Sequence, residues 1–211
     1  MKKAVKLSSP HTYRVVKYLL AYPRATQLKI SEETGVSLGW VNAVARALFD
    51  ANVAVKGKRG RVELVDPISL LNRLAWDRPL PSLHIETITS EISDVSSAEK
   101  ALDALCLRRG VKYALTAFSG LSRYLAHYIS YPTVHAYVDD PSIVQFLTRG
   151  RGGISVELLS PDYPEILAEA GRVAGIAVAQ PIQVVVDLFC LGGAGRDAAI
   201  KLYRRTVGEG A

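Results

Sequence analysis

The sequence predicts an α/β (α+β) protein in two parts, with a mixed sheet confined to the second. Three observations predict it. Apolar spacing is helical, broken by one hairpin pattern, as far as Trp76, and alternates between strand and helix periods from Leu83 onward. Arg78-Pro79-Leu80-Pro81 sets two prolines within three residues, a stiff extended boundary. The charge changes sign at the same place. Residues 1–78 hold 14 basic against 6 acidic side chains, a net +8, while residues 79–211 hold 12 against 14, a net −2. The expected division is a domain over 1–78, a linker over 79–82 and an α/β domain over 83–211.

Bulk composition narrows the class. Of 211 residues, 49% are apolar and 22% charged, and the mean hydropathy is +0.14, a balance that excludes wholesale disorder. No apolar run reaches the roughly 18 residues a membrane span needs. The start, Met1-Lys2-Lys3-Ala4-Val5-Lys6-Leu7, is basic, but His11, Arg14 and Lys17 interrupt the apolar stretch of a signal peptide. The expected location is cytoplasmic. Cys106 and Cys190 form no paired metal motif, so no zinc site and no cofactor are expected. Two buried free thiols are the expected state; a disulfide is the alternative left open.

The N-terminal elements follow in order. Ser9-Pro10 opens a helix with Val15, Val16, Leu19 and Leu20 inward, and Tyr22-Pro23 ends it. Thr26 caps a second helix with Leu28 and Ile30 inward, stopped at Gly35. Ser37 caps a third helix to about Asn52, whose inner stripe is Val41, Val44, Ala45 and Leu48. A strand Val53–Val55, a turn Gly57-Lys58-Arg59-Gly60 and a strand Val62–Val65 read as a hairpin.

The string Ile30-Ser31-Glu32-Glu33-Thr34-Gly35-Val36-Ser37, continued by Val41, Val44 and Leu48, resembles the helix-turn-helix of many bacterial and archaeal regulators. The hairpin after it resembles the wing of a winged-helix domain. The resemblance implies binding of double-stranded DNA, the third helix entering the major groove. The outward side of that helix offers Leu38, Gly39, Trp40, Asn42, Ala43 and Arg46, and its cap Ser37 is expected at the DNA with them. Arg46 suits guanine, Asn42 adenine and Ala43 a thymine methyl, while Gly39 permits close backbone approach. Trp40 either packs against the domain or a partner, or reads a base. Lys56, Lys58, Arg59 and Arg61, four cations within six positions, would meet phosphates.

Asp66-Pro67 opens a helix with Ile68, Leu70, Leu71, Leu74 and Trp76 at apolar positions. Beyond the linker, His84–Ile88 reads as a strand and Ser96-Ser97-Ala98-Glu99 as a capping-box start for a helix Ala98–Arg109. Strands are expected at Lys112–Thr116, Thr133–Val138, Gly153–Leu159 and Val178-Ala179. Phe118-Ser119-Gly120 turns into a helix bearing Leu121, Tyr124, Leu125 and Tyr128. Ser142–Leu147 is a short helix, and Ile182–Leu191 and Asp197–Val207 close the chain as helices.

Ala179-Gln180-Pro181-Ile182-Gln183-Val184-Val185-Val186-Asp187-Leu188, then Gly195-Arg196-Asp197-Ala198-Ala199-Ile200-Lys201-Leu202-Tyr203, resembles the C-terminal end of the AbiEi-type (type IV) antitoxins, as does Tyr113–Gly120 their strand-turn-helix segment. With the N-terminal part, the likeness spans most of the chain. It implies a winged helix joined to an α/β domain, in a DNA-binding regulator that represses its own operon and counters a nucleotidyltransferase-like toxin; a homodimer is expected separately, since winged-helix regulators commonly act as dimers on two-fold operators.

A degenerate nucleotidyltransferase-like fold is the alternative for the second domain. Its chemistry needs Gly-Ser at a helix start and two carboxylates on one strand face. This chain has Ser119-Gly120 in the reverse order, no acid within His135–Val138, and Asp139 and Asp140 only beyond it. No catalytic residue is therefore assigned. Gly192–Arg196 lacks the Lys-Ser/Thr of a phosphate loop and reads as a turn; Arg149–Gly153 reads as a basic loop. His127 and His135 read as core or interface residues. Asp187, on an apolar helix, needs a partner, with Arg196 or a helix N-terminus as candidates.

Overall fold

The computed structural model describes residues 5–125, 131–193 and 195–208. The readings placed on Met1–Ala4, His127, Tyr128 and Ala194 lie outside the described residues. The chain divides into two compact units: Met1–Arg78 with Tyr203–Ala211, and Pro79–Leu202. The expected second domain ran to residue 211, whereas the last residues from Tyr203 cluster with the first unit. The expected linker is also different. Leu80–Leu83 forms a 3-10 turn, and Leu80 is fully buried. An apolar side chain between two prolines gains more from burial than from serving as a spacer.

In the first unit, α1 (Pro10–Ala21) begins at Pro10, where a missing N–H costs nothing, and buries Tyr13, Val15, Val16, Leu19 and Leu20. A short strand β1 (Arg24–Thr26) leads directly into α2 (Gln27–Thr34), whose N-cap Thr26 accepts the Lys29 N–H at 3.2 Å. Gly35, at φ 65°, ends α2 in the left-handed conformation that glycine permits. α3 (Leu38–Asp50) buries the expected stripe of Val41, Val44, Ala45 and Leu48. β2 (Ala54–Lys56) and β3 (Arg61–Leu64) form the hairpin, and β1 pairs with β3 to give an antiparallel sheet of order β1-β3-β2. α4 (Pro67–Asp77) is capped by Asp66, which accepts the Ser69 N–H at 2.9 Å.

Two inward assignments reverse. Leu28 is 58% exposed and Trp76 is 89% exposed. Each stands two residues from a buried neighbour, Ile30 and Leu74. Two residues are about 200° around a helix, so only one of each pair can face the core.

In the second unit, β4 (His84–Thr89), β5 (Tyr113–Leu115), β6 (Thr133–Val138), β7 (Ser155–Leu159), β8 (Gly171–Val173) and β9 (Ile176–Val178) form a mixed sheet of order β4-β7-β6-β5-β9-β8. β6 and β7 run parallel, as do β5 and β9; the other pairs are antiparallel. The helix α5 (Val95–Arg109) lays Ala98, Leu102, Leu105 and Cys106 on Leu115, Val134, Ala136, Val156 and Val178, which form the main core. α5 starts earlier than expected, because Asp94 rather than Ser96 caps it, accepting the Ser97 N–H at 2.8 Å. α6 (Ala117–Tyr124) contains Ser119-Gly120, expected as a turn. The short helix expected at 142–147 is 3-10, Pro141–Phe146. α7 (Glu165–Ala168), α8 (Pro181–Leu191) and α9 (Gly195–Val207) complete the elements. Cys106 and Cys190 are buried free thiols, and burial pushes Cys106 up to about 12.

Candidate nucleic-acid interface

The division of the chain sharpens the charge asymmetry. Tyr203–Ala211 brings two arginines and one glutamate to the first unit, raising its net charge from +8 to +9 and leaving Pro79–Leu202 at −3. One cation is internal: Arg78 is 3% exposed and stacks 5.6 Å over the Tyr13 ring.

On α3, the four buried positions commit one face to the core, so the intervening residues project outward. Gly39, Ala43 and Arg46 are exposed, and a Cβ at Gly39 would touch nothing within 4 Å. Ser37 is the N-cap, its Oγ accepting the Trp40 N–H at a long 3.4 Å. Asn42 is half-buried, and its Nδ2 donates to Gln27 Oε1 at 3.1 Å. Trp40 is 43% exposed, and its Nε1 donates to Thr12 Oγ1 on α1 at 3.2 Å. Thr12 in turn accepts from Ser9 Oγ at 2.8 Å. This chain of bonds holds the indole against its own unit, so its N–H is already engaged.

The hairpin carries the four cations. Lys56, Lys58, Arg59 and Arg61 are all exposed, and among the described residues none has a carboxylate partner. Arg59 and Gly60 both take positive φ, 55° and 72°, and turn the chain between β2 and β3. The turn gathers the four cations at one end of the hairpin, Lys56 and Arg61 on its strands and Lys58 and Arg59 between them, where each adds to the same local field.

Gln27 and Thr12 were invisible to sequence reasoning. Gln27 lies 15 residues before Asn42 and Thr12 lies 28 before Trp40. Only the crossing of the helices brings these pairs together, and no periodicity encodes that.

The second unit holds a buried polar cluster that sequence reading also missed. Glu99 on α5 is 2% exposed and pairs with Arg123 on α6. Tyr131 donates its hydroxyl to Ser122 Oγ at 3.0 Å, with Glu99 Oε1 at 3.3 Å. Burial pushes the Glu99 carboxyl up, and the Arg123 guanidinium opposes the shift. His135 lies beside Glu157 in the β6–β7 register, Nε2 to Oε2 3.7 Å, and its backbone N–H donates to Ser119 Oγ at 3.1 Å. Burial pushes this imidazole down, against the pull of Glu157. Ser119 is thus enclosed and occupied as an acceptor, with 0% exposure.

The other sequence candidates resolve locally. Asp139 accepts the Lys112 N–H at 2.9 Å, and Asp140 accepts the Ser142 N–H at 2.8 Å as the cap of the 3-10 turn. Asp187 is fully buried and accepts from Thr116 Oγ1 at 2.5 Å and Gln183 Nε2 at 3.0 Å, so of the two candidate partners Arg196 gives way to a helix N-terminus, that of α6, whose N-cap is Thr116. Arg196 instead lies 5.8 Å over the Phe189 ring. Arg149, in the basic loop, pairs with Glu86. Among the described residues, no group of His, Cys, Asp and Glu side chains could hold a metal ion, and no helix is long and apolar enough to cross a membrane. Comparison with protein-family models, with curated proteins and with solved structures finds no match to this chain.

Proposed function

We propose that the chain is a sequence-specific DNA-binding transcriptional regulator. In this reading the first unit is a winged helix, α3 its recognition helix and the β2–β3 hairpin its wing. One observation carries the reading: an outward α3 face of Gly39, Asn42, Ala43 and Arg46 and a hairpin of four exposed cations, with no carboxylate partner among the described residues, belong to one unit of net charge +9. The order α1-β1-α2-α3-β2-β3, with sheet order β1-β3-β2, supports it. Arg46 and Asn42 read base edges, and Lys56, Lys58, Arg59 and Arg61 grip phosphates. Trp40, tied to Thr12, sets the seat of α3 rather than reading a base. Two copies act on a two-fold operator. The resemblance of the C-terminal segments to AbiEi-type antitoxins makes the more specific reading an autoregulating antitoxin, with a nucleotidyltransferase-like toxin as its second partner.

The reading is of a binding protein, not an enzyme. Asp139 and Asp140, the acids nearest to a two-metal pattern, are engaged by backbone N–H groups, and Ser119 is enclosed. The test is fluorescence anisotropy against duplex DNA from upstream of the chain's own gene and against a scrambled duplex, each at several salt concentrations. A preference of at least about a hundredfold for the upstream duplex is expected, since specific regulators typically gain about 10³ or more. Equal, salt-dependent binding to both would remove autoregulation. No binding at low salt would overturn the DNA reading.

A further inference from the structure

The second unit contains a cleft that the DNA-binding reading does not use. Its volume is about 290 Å³. One wall is a continuous stripe of α5: Ala98, Ala101, Leu102, Leu105 and Arg108. Their spacing of three and four residues puts them on one helix face, along about 15 Å of helix. The rest of the lining includes Phe146, Leu147 and Thr148, and Val156 of β7. Ala98 and Ala101 contribute only methyl groups to this stripe.

The lining carries both signs of charge. Arg108, in the last turn of α5, is exposed and has no carboxylate partner among the described residues. Its neighbour Arg109 is engaged elsewhere, with its guanidinium 3.5 Å from the Phe146 ring centre, which braces the aromatic wall. Glu91, also in the lining, lies against Gly150. The deep surface is apolar: Leu102 is 1% exposed and Val156 3%. A small apolar cleft with one open guanidinium at its lip suits an apolar body with a single planar anion at one end. A guanidinium meets a carboxylate with two parallel hydrogen bonds. At about 30 Å³ per water-sized group, the volume holds about ten such groups, the low end for small-molecule sites.

We propose that this cleft binds a small amphipathic monocarboxylate of about six to ten non-hydrogen atoms, with its apolar chain along α5 and its carboxylate on Arg108. The proposal does not depend on the first unit binding DNA.

The experiment titrates the full chain, methyl-labelled at Leu and Val, with hexanoate and separately with its neutral isostere hexanamide, followed by NMR. Hexanoate should shift the methyls of Leu102, Leu105, Leu147 and Val156 saturably, with a Kd of about 1 mM, the range open to about eight non-hydrogen atoms. Hexanamide should bind about three- to fivefold more weakly, the worth of an ion pair at an exposed lip. Arg108→Gln should bring the two ligands to equal affinity while leaving the cleft intact. Ala101→Trp, which fills the cleft, should abolish both, with the melting temperature of the unliganded variant checked against the parent. No saturation by about 20 mM, shifts lying away from these methyls, or a hexanoate preference that survives Arg108→Gln would each overturn the proposal. None of these outcomes touches DNA affinity, so the two readings fail separately.

Discussion

Asn42 on α3 donates its side-chain amide to Gln27, the first residue of α2, at 3.1 Å. The bond takes one of the two Nδ2 hydrogens and fixes which way the amide faces. The other hydrogen and Oδ1 remain for the N7 and N6 of an adenine, which is the pair of contacts such readout needs. In the proposed function Gln27 is therefore a positioning residue. Gln27→Ala should lower discrimination at one A·T pair by about two- to tenfold, the worth of a neutral hydrogen bond. Asn42→Ala, which removes the base contact itself, should lower it at least as much, and the double variant no further than Asn42→Ala. Anisotropy across single-base operator variants measures this, and an unchanged profile in Gln27→Ala would remove the role.

Arg46 is exposed on the outer face of α3, one turn beyond Asn42. Its guanidinium is free to lie bidentate on a guanine. Arg46→Ala should cost about 1–3 kcal/mol on the preferred operator and much less on a scrambled duplex. If the variant ranked every operator like the parent, the assigned recognition face would be wrong.

The hairpin predicts the opposite pattern. Lys58 and Arg59 sit at its turn, exposed and without a carboxylate partner among the described residues. Phosphate contacts carry no sequence information, so Lys58→Ala with Arg59→Ala should weaken binding to all duplexes alike. Each lost contact reduces the slope of log K against log salt by about 0.9, so the pair should flatten it by about 1.8. A slope equal to that of the parent would show that the hairpin stays off the backbone.

The elements that carry this interface were legible where one signal sufficed. Ser37 and the stripe of Val41, Val44, Ala45 and Leu48 place α3, and Gly57–Gly60 places the hairpin turn. β1 was not legible: three residues, the last of them the helix cap Thr26, are too few for alternation, and pairing with β3 is what makes Arg24–Thr26 a strand. Strand order in the second unit was equally hidden, because β5 lies between β6 and β9, far apart in sequence. The pairs Gln27–Asn42, Thr12–Trp40 and Glu99–Arg123 depend on how packed elements cross, which neither period nor composition records. Asp187 was legible as a carboxylate in need of a partner, but not which partner.

That partner supplies a stability prediction. Thr116 donates to Asp187 within a fully buried pair, 2.5 Å apart. Thr116→Val keeps the shape and removes the donor, leaving a buried carboxylate oxygen short of a hydrogen bond. The expected cost is about 1–3 kcal/mol, read by urea unfolding. Thr116→Ser retains the hydroxyl and should lose clearly less. Equal losses in the two variants would assign the effect to the lost methyl instead.

His135 supplies the pH dependence. It is 5% exposed, its Nε2 stands 3.7 Å from Glu157 Oε2, and the Phe118 ring lies 6.3 Å away. Burial holds its pKa below the ordinary 6.5, with Glu157 pulling the other way. As pH falls below that value the unfolded chain takes up the proton first, so the folded state loses ground. The stability present above pH 6.5 is therefore lost progressively as pH falls toward the folded pKa. His135→Gln removes this uptake, and the other histidines, common to both proteins, cancel in the comparison. Urea unfolding at about pH 7.5 and about pH 5.5 should show the parent losing more stability than the variant across that interval. A parent that lost no more than His135→Gln would mean that His135 is protonated as readily in the fold as outside it, and that Glu157 outweighs burial.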